Sequence, residues 1–600
     1  MSDKEDDNSR TKAAFPSQKE LEREISEYLS NKYGRKVRIV SAGQFPGAEA
    51  AGEPGGDGEA AVAAGEEFHF DLAPEELISH LDQYVVGQQE AKATLATKIC
   101  THFNRISRSL ERRRVGDMNG DGGNVGRIKN NVLLIGPTGV GKTYLIKLIA
   151  RHLGVPFVKG DATKFSETGY VGGDVDDLIR DLVREADHDL ERARFGIVYL
   201  DEVDKIAGGE GRRGLDVSRS GVQRALLKPM EETEVEMKVP HDPISMIEAV
   251  EHYRQTGKRR RQTVNTRHIL FIMSGAFNGL EETVRRRLQQ RSIGFESTVA
   301  AAAGRPGAFL KKIKPEDLVD YGFESEFVGR LPVVAVLDEL AEADLYHILS
   351  NPNSSVIVSK KQDFKAYGIE LYFEDVALRQ LAVQAARERT GARALVSVVE
   401  RALLHFERKL PSTEIRHLVV DSKLVADPAG TLHKLLRDGR LRQRQVKRCA
   451  TLAKAEIKGL VGFIREKLGD YLESRDFLPT PARLEMMAAE VQADNLEPAA
   501  VCERFIELAQ LIAEQADQAA RIYGVDLSFS PEAVDRILAR QPRDEASVSA
   551  TCDEVLAAME YGLRLLGQRR EIPELTITAA GIDSPDIFIN QVVSKTFKLE

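Results

Sequence analysis

Six hundred residues is about four times the usual single domain, so several domains with sizeable cores are expected. Apolar residues make up 42% and charged residues 30%, and 84 Lys and Arg against 93 Asp and Glu leave a net charge of −9, which argues against a body built to coat nucleic acid. The longest apolar runs fall short of the about 18 residues that a membrane span needs, and the polar, acidic start (Met1-Ser2-Asp3-Lys4-Glu5) carries no secretory signal. The four cysteines (Cys100, Cys449, Cys502, Cys552) form no C-x-x-C pair, which speaks against a disulfide framework or a local zinc ribbon and for a reducing, cytoplasmic setting.

In chain order, residues 1–42 hold one short helical pattern (Gln18 to Tyr33) and a β-like run, Lys36 to Val40, and are expected to form a small appendage. Ala51 to Glu67 is almost wholly Gly, Ala and Glu. It buries too little to offset its ordering entropy, so 43–67 reads as a flexible linker. Leu81 to Ile106 has helical spacing, a Gly-rich loop follows at Gly116 to Gly126, and Val132-Leu133-Leu134-Ile135 reads as a buried strand leading through a Gly-rich turn into a helix from Lys142. A further helix is predicted from Asp174, with Val175, Leu178, Ile179, Leu182, Val183 and Ala186 on one face. Gly196 to Leu200 and His268 to Met273 read as strands too buried to alternate. This alternation predicts an α/β fold, a parallel sheet with helices on both faces, over 68–336. A mainly helical small domain is expected over 337–430 and a helical extension over 431–520. Tyr367-Gly368-Ile369-Glu370-Leu371-Tyr372-Phe373 returns as Tyr523-Gly524-Val525-Asp526-Leu527-Ser528-Phe529, so 521–600 is expected to be a second copy of the small domain.

Gly136-Pro137-Thr138-Gly139-Val140-Gly141-Lys142-Thr143 is a complete G-x-x-x-x-G-K-T loop between strand and helix. Its backbone N–H groups can wrap a polyphosphate at a helix N-terminus, Lys142 can reach the β and γ phosphates, and Thr143 can ligate Mg²⁺. The strand Ile197 to Leu200 ends in Asp201-Glu202. Asp201 is suited to hold Mg²⁺ and Glu202 to polarise an attacking water, so ATP and Mg²⁺ are the expected cofactors.

From about Glu75 to Val425 the chain resembles the ClpX family of AAA+ protein unfoldases. The likeness rests on Tyr84-Val85-Val86-Gly87-Gln88, the phosphate loop, Gly169-Tyr170-Val171-Gly172, Gly196 to Lys205, Glu326 to Pro332 and Thr390-Gly391-Ala392-Arg393. The resemblance implies an AAA+ P-loop sheet followed by a small helical lid, and a homo-hexameric ring that hydrolyses ATP to pull unfolded or tagged proteins through its pore. It implies that Val85 and Val86 face adenine, that Arg330 is an arginine finger reaching a neighbouring subunit's nucleotide, and that Arg393 is the second sensor. Ser274, just past a predicted strand, stands where a first sensor would. Tyr170 and Val171 would form the pore loop that grips the substrate, and Ile293-Gly294-Phe295 would dock on a ClpP-like peptidase.

The chain departs from the family in several ways. Residues 1–99 contain no cysteine where the family's N-terminal zinc domain needs four. Glu234 to Asn265 is expanded: Asp242-Pro243 can start a helix, and Lys258-Arg259-Arg260-Arg261 fits either a basic pore-entrance loop or a solvated turn. The second pore loop is altered as well, with Arg219-Ser220-Gly221 in place of Gly-Glu-Gly. Beyond Gly430 a basic helical stretch, Arg437 to Arg448, leads into the second copy, where Ser547-Val548-Ser549 replaces Gly-Ala-Arg and no second phosphate loop occurs. That copy is expected to be structural or docking in role. Two alternatives stay open: a peptidase-independent remodeller, and a nucleic-acid motor, against which the net charge and an aromatic pore loop both count.

Overall fold

The computed structural model describes residues 70–114, 129–165, 173–208, 217–237, 263–291, 307, 309–540, 542–568 and 574–597. The expected appendage (1–42) and linker (43–67), Tyr170 and Val171, the 258–261 run, and Ile293, Gly294 and Phe295 lie outside them.

Strands β1 (Val132–Ile135), β2 (Phe157–Asp161), β3 (Ile197–Asp201), β4 (Glu234–Glu236), β5 (Thr263–Asn265), β6 (Leu270–Gly275) and β7 (Val333–Val336) belong to the first part of the chain. Five of them form an all-parallel sheet in the order β2–β3–β6–β1–β7. The apolar runs follow from burial on both faces. Leu133 and Ile135 enter one core with the helix Asp176–Glu185, whereas Val132 and Leu134 enter the other with the helices Pro74–Tyr84 and Lys142–Leu153. The register sets Ile135 beside Gly275 and Val336, and Asp161 beside Asp201, so the carboxyl ends of β1, β3 and β6 share one edge. In open parallel sheets that edge is where ligands bind.

Two predicted elements differ in detail, and the helix expected from Asp242-Pro243 lies outside the described residues. Leu81 to Ile106 is two helices, Pro74–Tyr84 and Gln89–Arg114, because Gly87 (φ 66°) and Gln88 (φ 60°) turn left-handed. The Gln88 side chain holds that break in place: its amide donates to Asp338 O and its Oε1 accepts from Asp338 N–H, both at 2.8 Å. Arg219-Ser220-Gly221 lies within the helix Val217–Met230. Within the expanded 234–265 stretch, β4 and β5 pair as an antiparallel ribbon around residues outside the described ones.

After β7 a second core gathers residues from Leu345 to Leu435 around the parallel pair β8 (Glu370–Phe373) and β9 (His417–Val420). The element order helix–strand–helix–helix–strand–helix–helix then recurs with β10 (Asp526–Phe529) and β11 (Glu574–Ile577), also parallel. One core runs without a break from Leu460 to Ile589, so the helices over 460–520 and the second strand pair pack as one body. Ion pairs join this body, and the helix Gly439–Phe463 that leads into it, to the small helical core. Lys361 meets Glu456, Lys365 meets Asp494 at 3.1 Å, and Arg448 meets Asp421 at 3.0 Å and Glu374. Asp438 divides the basic stretch by accepting from the Arg440 and Leu441 N–H groups, and Arg448 is engaged inside the chain rather than offered to an external polyanion. No described helix is long and apolar enough to cross a membrane.

Candidate active site

The phosphate loop leaves β1 at Gly136, whose N–H donates to Gly275 O at 3.3 Å, and runs into the helix Lys142–Leu153. The Lys142 ammonium folds over the loop and donates to Gly136 O at 2.6 Å and Pro137 O at 2.9 Å. Burial pushes its pKa below the usual lysine range; Asp201 and Asp204 oppose the shift and the nearby Arg393 adds to it.

Gly139 is the point at which the small helical core touches this loop. It has φ 80°, and a Cβ there would sit 2.0 Å from Thr390 O, while Gly139 O accepts from the Ala392 N–H at 2.9 Å. Gly391 (φ 61°) faces it, and a Cβ there would sit 2.7 Å from Gly139 O. Only two glycines permit this backbone-to-backbone approach, and it delivers Arg393, the first residue of the helix Arg393–Lys409, to the loop.

At the end of β3, Thr143 Oγ1 lies 3.4 Å from Asp201 Oδ2. Asp201 is held further by Lys159 Nζ at 3.0 Å and by Ser274, whose hydroxyl donates to Oδ1 at 2.7 Å and lies 2.6 Å from Tyr199 Oη. Burial opposes its ionisation, yet the Ser274 and Lys159 bonds win and hold the carboxyl below its ordinary pKa. Ser274 sits inside β6, fully buried, rather than just past a strand. Sequence reasoning misses Lys159, because an isolated lysine on a short strand carries no local signal. Glu202 is exposed at φ 58°, a left-handed turn uncommon for a non-glycine residue that swings its side chain off the strand line.

These elements enclose a cavity of about 560 Å³. Thr138 to Thr143, Asp201, Glu202, Val85, Val86 and Arg393 all line it, whereas Gly136 and Pro137 lie behind Lys142. Val85 is buried, and its carbonyl accepts from the buried Lys92 ammonium at 2.5 Å. The small core contributes Ile348, Val356 and Leu395, and the chain crossing into it contributes Leu340. Arg330 does not line this cavity; it pairs with Glu231 and stands half exposed. One hydroxyl and one carboxylate in contact are hard oxygen donors that suit Mg²⁺ held jointly with substrate phosphates. Among the described residues no group of three or more His, Cys, Asp or Glu can hold a metal alone.

The C-terminal body reaches the same region. Gln83, beside the cavity residue Tyr84, donates from Nε2 to Lys467 O at 3.3 Å. Burial pushes the Tyr144 phenol up to about 12, with Glu497 adding to the shift.

A phosphate loop at the carboxyl edge of a parallel sheet, closed by a helical lid, defines a P-loop ATPase. The family described as AAA domain (Cdc48 subfamily) matches residues 127–334. The chain is 39% identical over 369 residues to the ATP-dependent Clp protease ATP-binding subunit ClpX of Azotobacter vinelandii, which covers 61% of this chain and 80% of that one. It is likewise 39% identical over 361 residues to the ClpX 3 subunit of Methylococcus capsulatus (59% and 80%), and 38% identical over 355 residues to the ClpX subunit of Borrelia duttonii (58% and 77%). The chain belongs to the ClpX family.

Proposed function

We propose that this ATPase is a protein unfoldase that works as a homo-hexameric ring in the cytoplasm and delivers its substrates to a ClpP-like peptidase. Lys142 binds the β and γ phosphates, and Val85 and Val86 pack against the base. Thr143 and Asp201 hold Mg²⁺, which supplies charge neutralisation at the phosphates. Glu202 accepts a proton from the attacking water, and Arg393 reports the nucleotide to the small core. Arg330 acts in the neighbouring subunit's site; its position away from its own cavity supports that role. Tyr170 and Val171 grip unfolded or tagged polypeptides in the pore, and Ile293-Gly294-Phe295 engages the peptidase.

The observation that carries this reading is the single cavity lined by the phosphate loop, Asp201, Glu202 and Arg393. The name of the relatives, the ATP-binding subunit of the Clp protease, supports the peptidase partner. The test is ATP-dependent degradation of a tagged, stably folded fluorescent reporter with and without an added ClpP-type peptidase. Loss of fluorescence that needs ATP, with degradation that needs the peptidase, is the expected result. Unfolding that ignores the peptidase would leave a stand-alone remodeller. Tyr170→Ala is expected to retain ATPase activity and lose unfolding. Glu202→Gln is expected to bind ATP and lose about 10²–10⁴-fold in turnover. A Glu202→Gln chain that hydrolyses at the parent rate removes that residue from the chemistry.

A further inference from the structure

The end of β3 meets a cation that none of the roles above uses. β2 is the edge strand beside β3, and the register sets Lys159 next to Tyr199 and Asp161 next to Asp201. Side chains alternate along a strand, so these four share one face, and Lys159 reaches Asp201 diagonally across the pair. Its ammonium lies 3.0 Å from Asp201 Oδ2 and 6.0 Å from the centre of the Tyr199 ring. Asp161 is turned to its own chain: its Oδ1 accepts from the Thr163 N–H at 3.0 Å and from the Thr163 hydroxyl at 2.7 Å. Asp201 Oδ1 is engaged as well, by the Ser274 hydroxyl at 2.7 Å and the Glu202 N–H at 3.1 Å. Oδ2 is therefore the Asp201 oxygen left for a metal ion or its water, and it is the one that faces Thr143 Oγ1, at 3.4 Å. Lys159 already stands on it, and with its side chain 45% exposed the ammonium has solvent into which it can withdraw.

We propose that Lys159 is a resident counter-ion of Asp201 that competes with Mg²⁺ for the Oδ2 oxygen. The inference rests on the reading that Thr143 and Asp201 hold the metal of bound ATP. Before metal enters, the ammonium neutralises a carboxylate that would otherwise repel the phosphates and face Asp161 with its charge unopposed. An ammonium on the same oxygen also opposes a divalent cation by like charge, so Lys159 must release Oδ2 and turn to solvent when Mg²⁺ binds. A compact charge on a flexible four-carbon stem is suited to that exchange. Lys159 is thus a positioning residue: it supports nucleotide binding without metal and raises the Mg²⁺ concentration at which the metal-bound site forms.

The test is binding of a fluorescent, non-hydrolysable ATP analogue to the full chain, titrated with Mg²⁺ from a chelated start. Lys159→Met keeps the stem and removes the charge, whereas Lys159→Arg keeps the charge. In Lys159→Met, with folding checked by thermal melting, affinity for the analogue without Mg²⁺ is expected to fall about two- to fivefold. The Mg²⁺ concentration at half-effect is expected to fall by a similar factor, and this is the deciding result. A merely structural ion pair would weaken binding in both conditions and leave that half-point in place. Lys159→Arg is expected to follow the wild-type chain. A folded Lys159→Met with an unchanged or higher half-point overturns the competition, and so does a Lys159→Arg that behaves as the methionine variant. Asp201→Asn tests the metal reading separately and is expected to raise the half-point. If it does so while Lys159→Met changes nothing, the role of Lys159 alone is lost. If it leaves the half-point unmoved, Asp201 holds no metal and the role of Lys159 falls with it. Failure of the wild-type chain to bind the analogue removes the ATP site and this role together.

Discussion

Ser274→Ala removes one hydroxyl from the floor of the site and tests whether β6 orients the carboxylate at the end of β3. Ser274 is fully buried, lies 2.6 Å from Tyr199 Oη and donates to Asp201 Oδ1 at 2.7 Å. After the change Tyr199 retains only Thr143 Oγ1, at 3.1 Å, and Asp201 Oδ1 retains the Glu202 N–H, also at 3.1 Å. A hydrogen bond to a charged acceptor contributes about 1.5–3 kcal/mol, so a loss of about 2 kcal/mol is expected, or about 4–8 °C in Tm for a unit of this size. The pH dependence has a definite sign. The folded pKa of Asp201 lies below its unfolded value, so its stabilisation is present above the ordinary aspartate pKa near 4 and fades as pH falls through the folded value. The deficit of Ser274→Ala should therefore be full from pH 8 to pH 5 and shrink under more acid conditions. Scanning fluorimetry across that range measures the stability, and ATPase rate against Mg²⁺ concentration measures orientation, with a higher Mg²⁺ requirement expected. A variant with the parent's Tm and Mg²⁺ curve would refute the idea that Ser274 sets the Asp201 carboxylate.

Two further perturbations probe other contacts. Gly139→Ala combines a left-handed backbone with a Cβ 2.0 Å from Thr390 O, so the loop carrying Arg393 must move away. The left-handed backbone alone disfavours alanine by about 1–2 kcal/mol. ATPase activity should collapse while the melting of the C-terminal body is unchanged, and normal activity would mean that the approach of Gly391 is dispensable. His80 stacks on His152 at 3.9 Å between ring centroids, and burial, with His152 and Arg151 adding, lowers its pKa to about 3. The unfolded chain takes up a proton near pH 6.5 that the folded one refuses, so stability falls as pH drops below that value, by about 2 kcal/mol at pH 5. His80→Phe should narrow the Tm difference between pH 7 and pH 5 by about 4–8 °C. An equal acid sensitivity would show that the stack does not titrate in this way.

Much of the site is legible in the sequence because its parts are local. Gly136 to Thr143 is eight consecutive residues whose spacing encodes a turn and a helix start, and Ile197 to Asp201 is an apolar run with a carboxylate at its end. The strands β1, β3 and β6 stand out because burial on both faces removes polar residues from them. The strand β2, with Lys159 and Gly160 in five residues, and β7, directly after the Arg330 segment, do not stand out. Both are edge strands, less uniformly buried than β1, β3 and β6, and a run of four or five residues without that uniform burial reads no differently from a loop.

What the chain order determines is thus the α/β class, the phosphate loop, the strand-end carboxylates and the recurrence of β8–β9 as β10–β11. Only the tertiary structure decides what surrounds each of them. Ser274 meets Asp201 across 73 positions, Thr390 presses on Gly139 from the second core, and Asn353 reaches Gln83 across 270. The physical reason is that periodicity and turn chemistry act within a few residues. A buried hydroxyl, a missing Cβ or a lysine on a short strand acquires meaning only from the atoms that packing brings beside it.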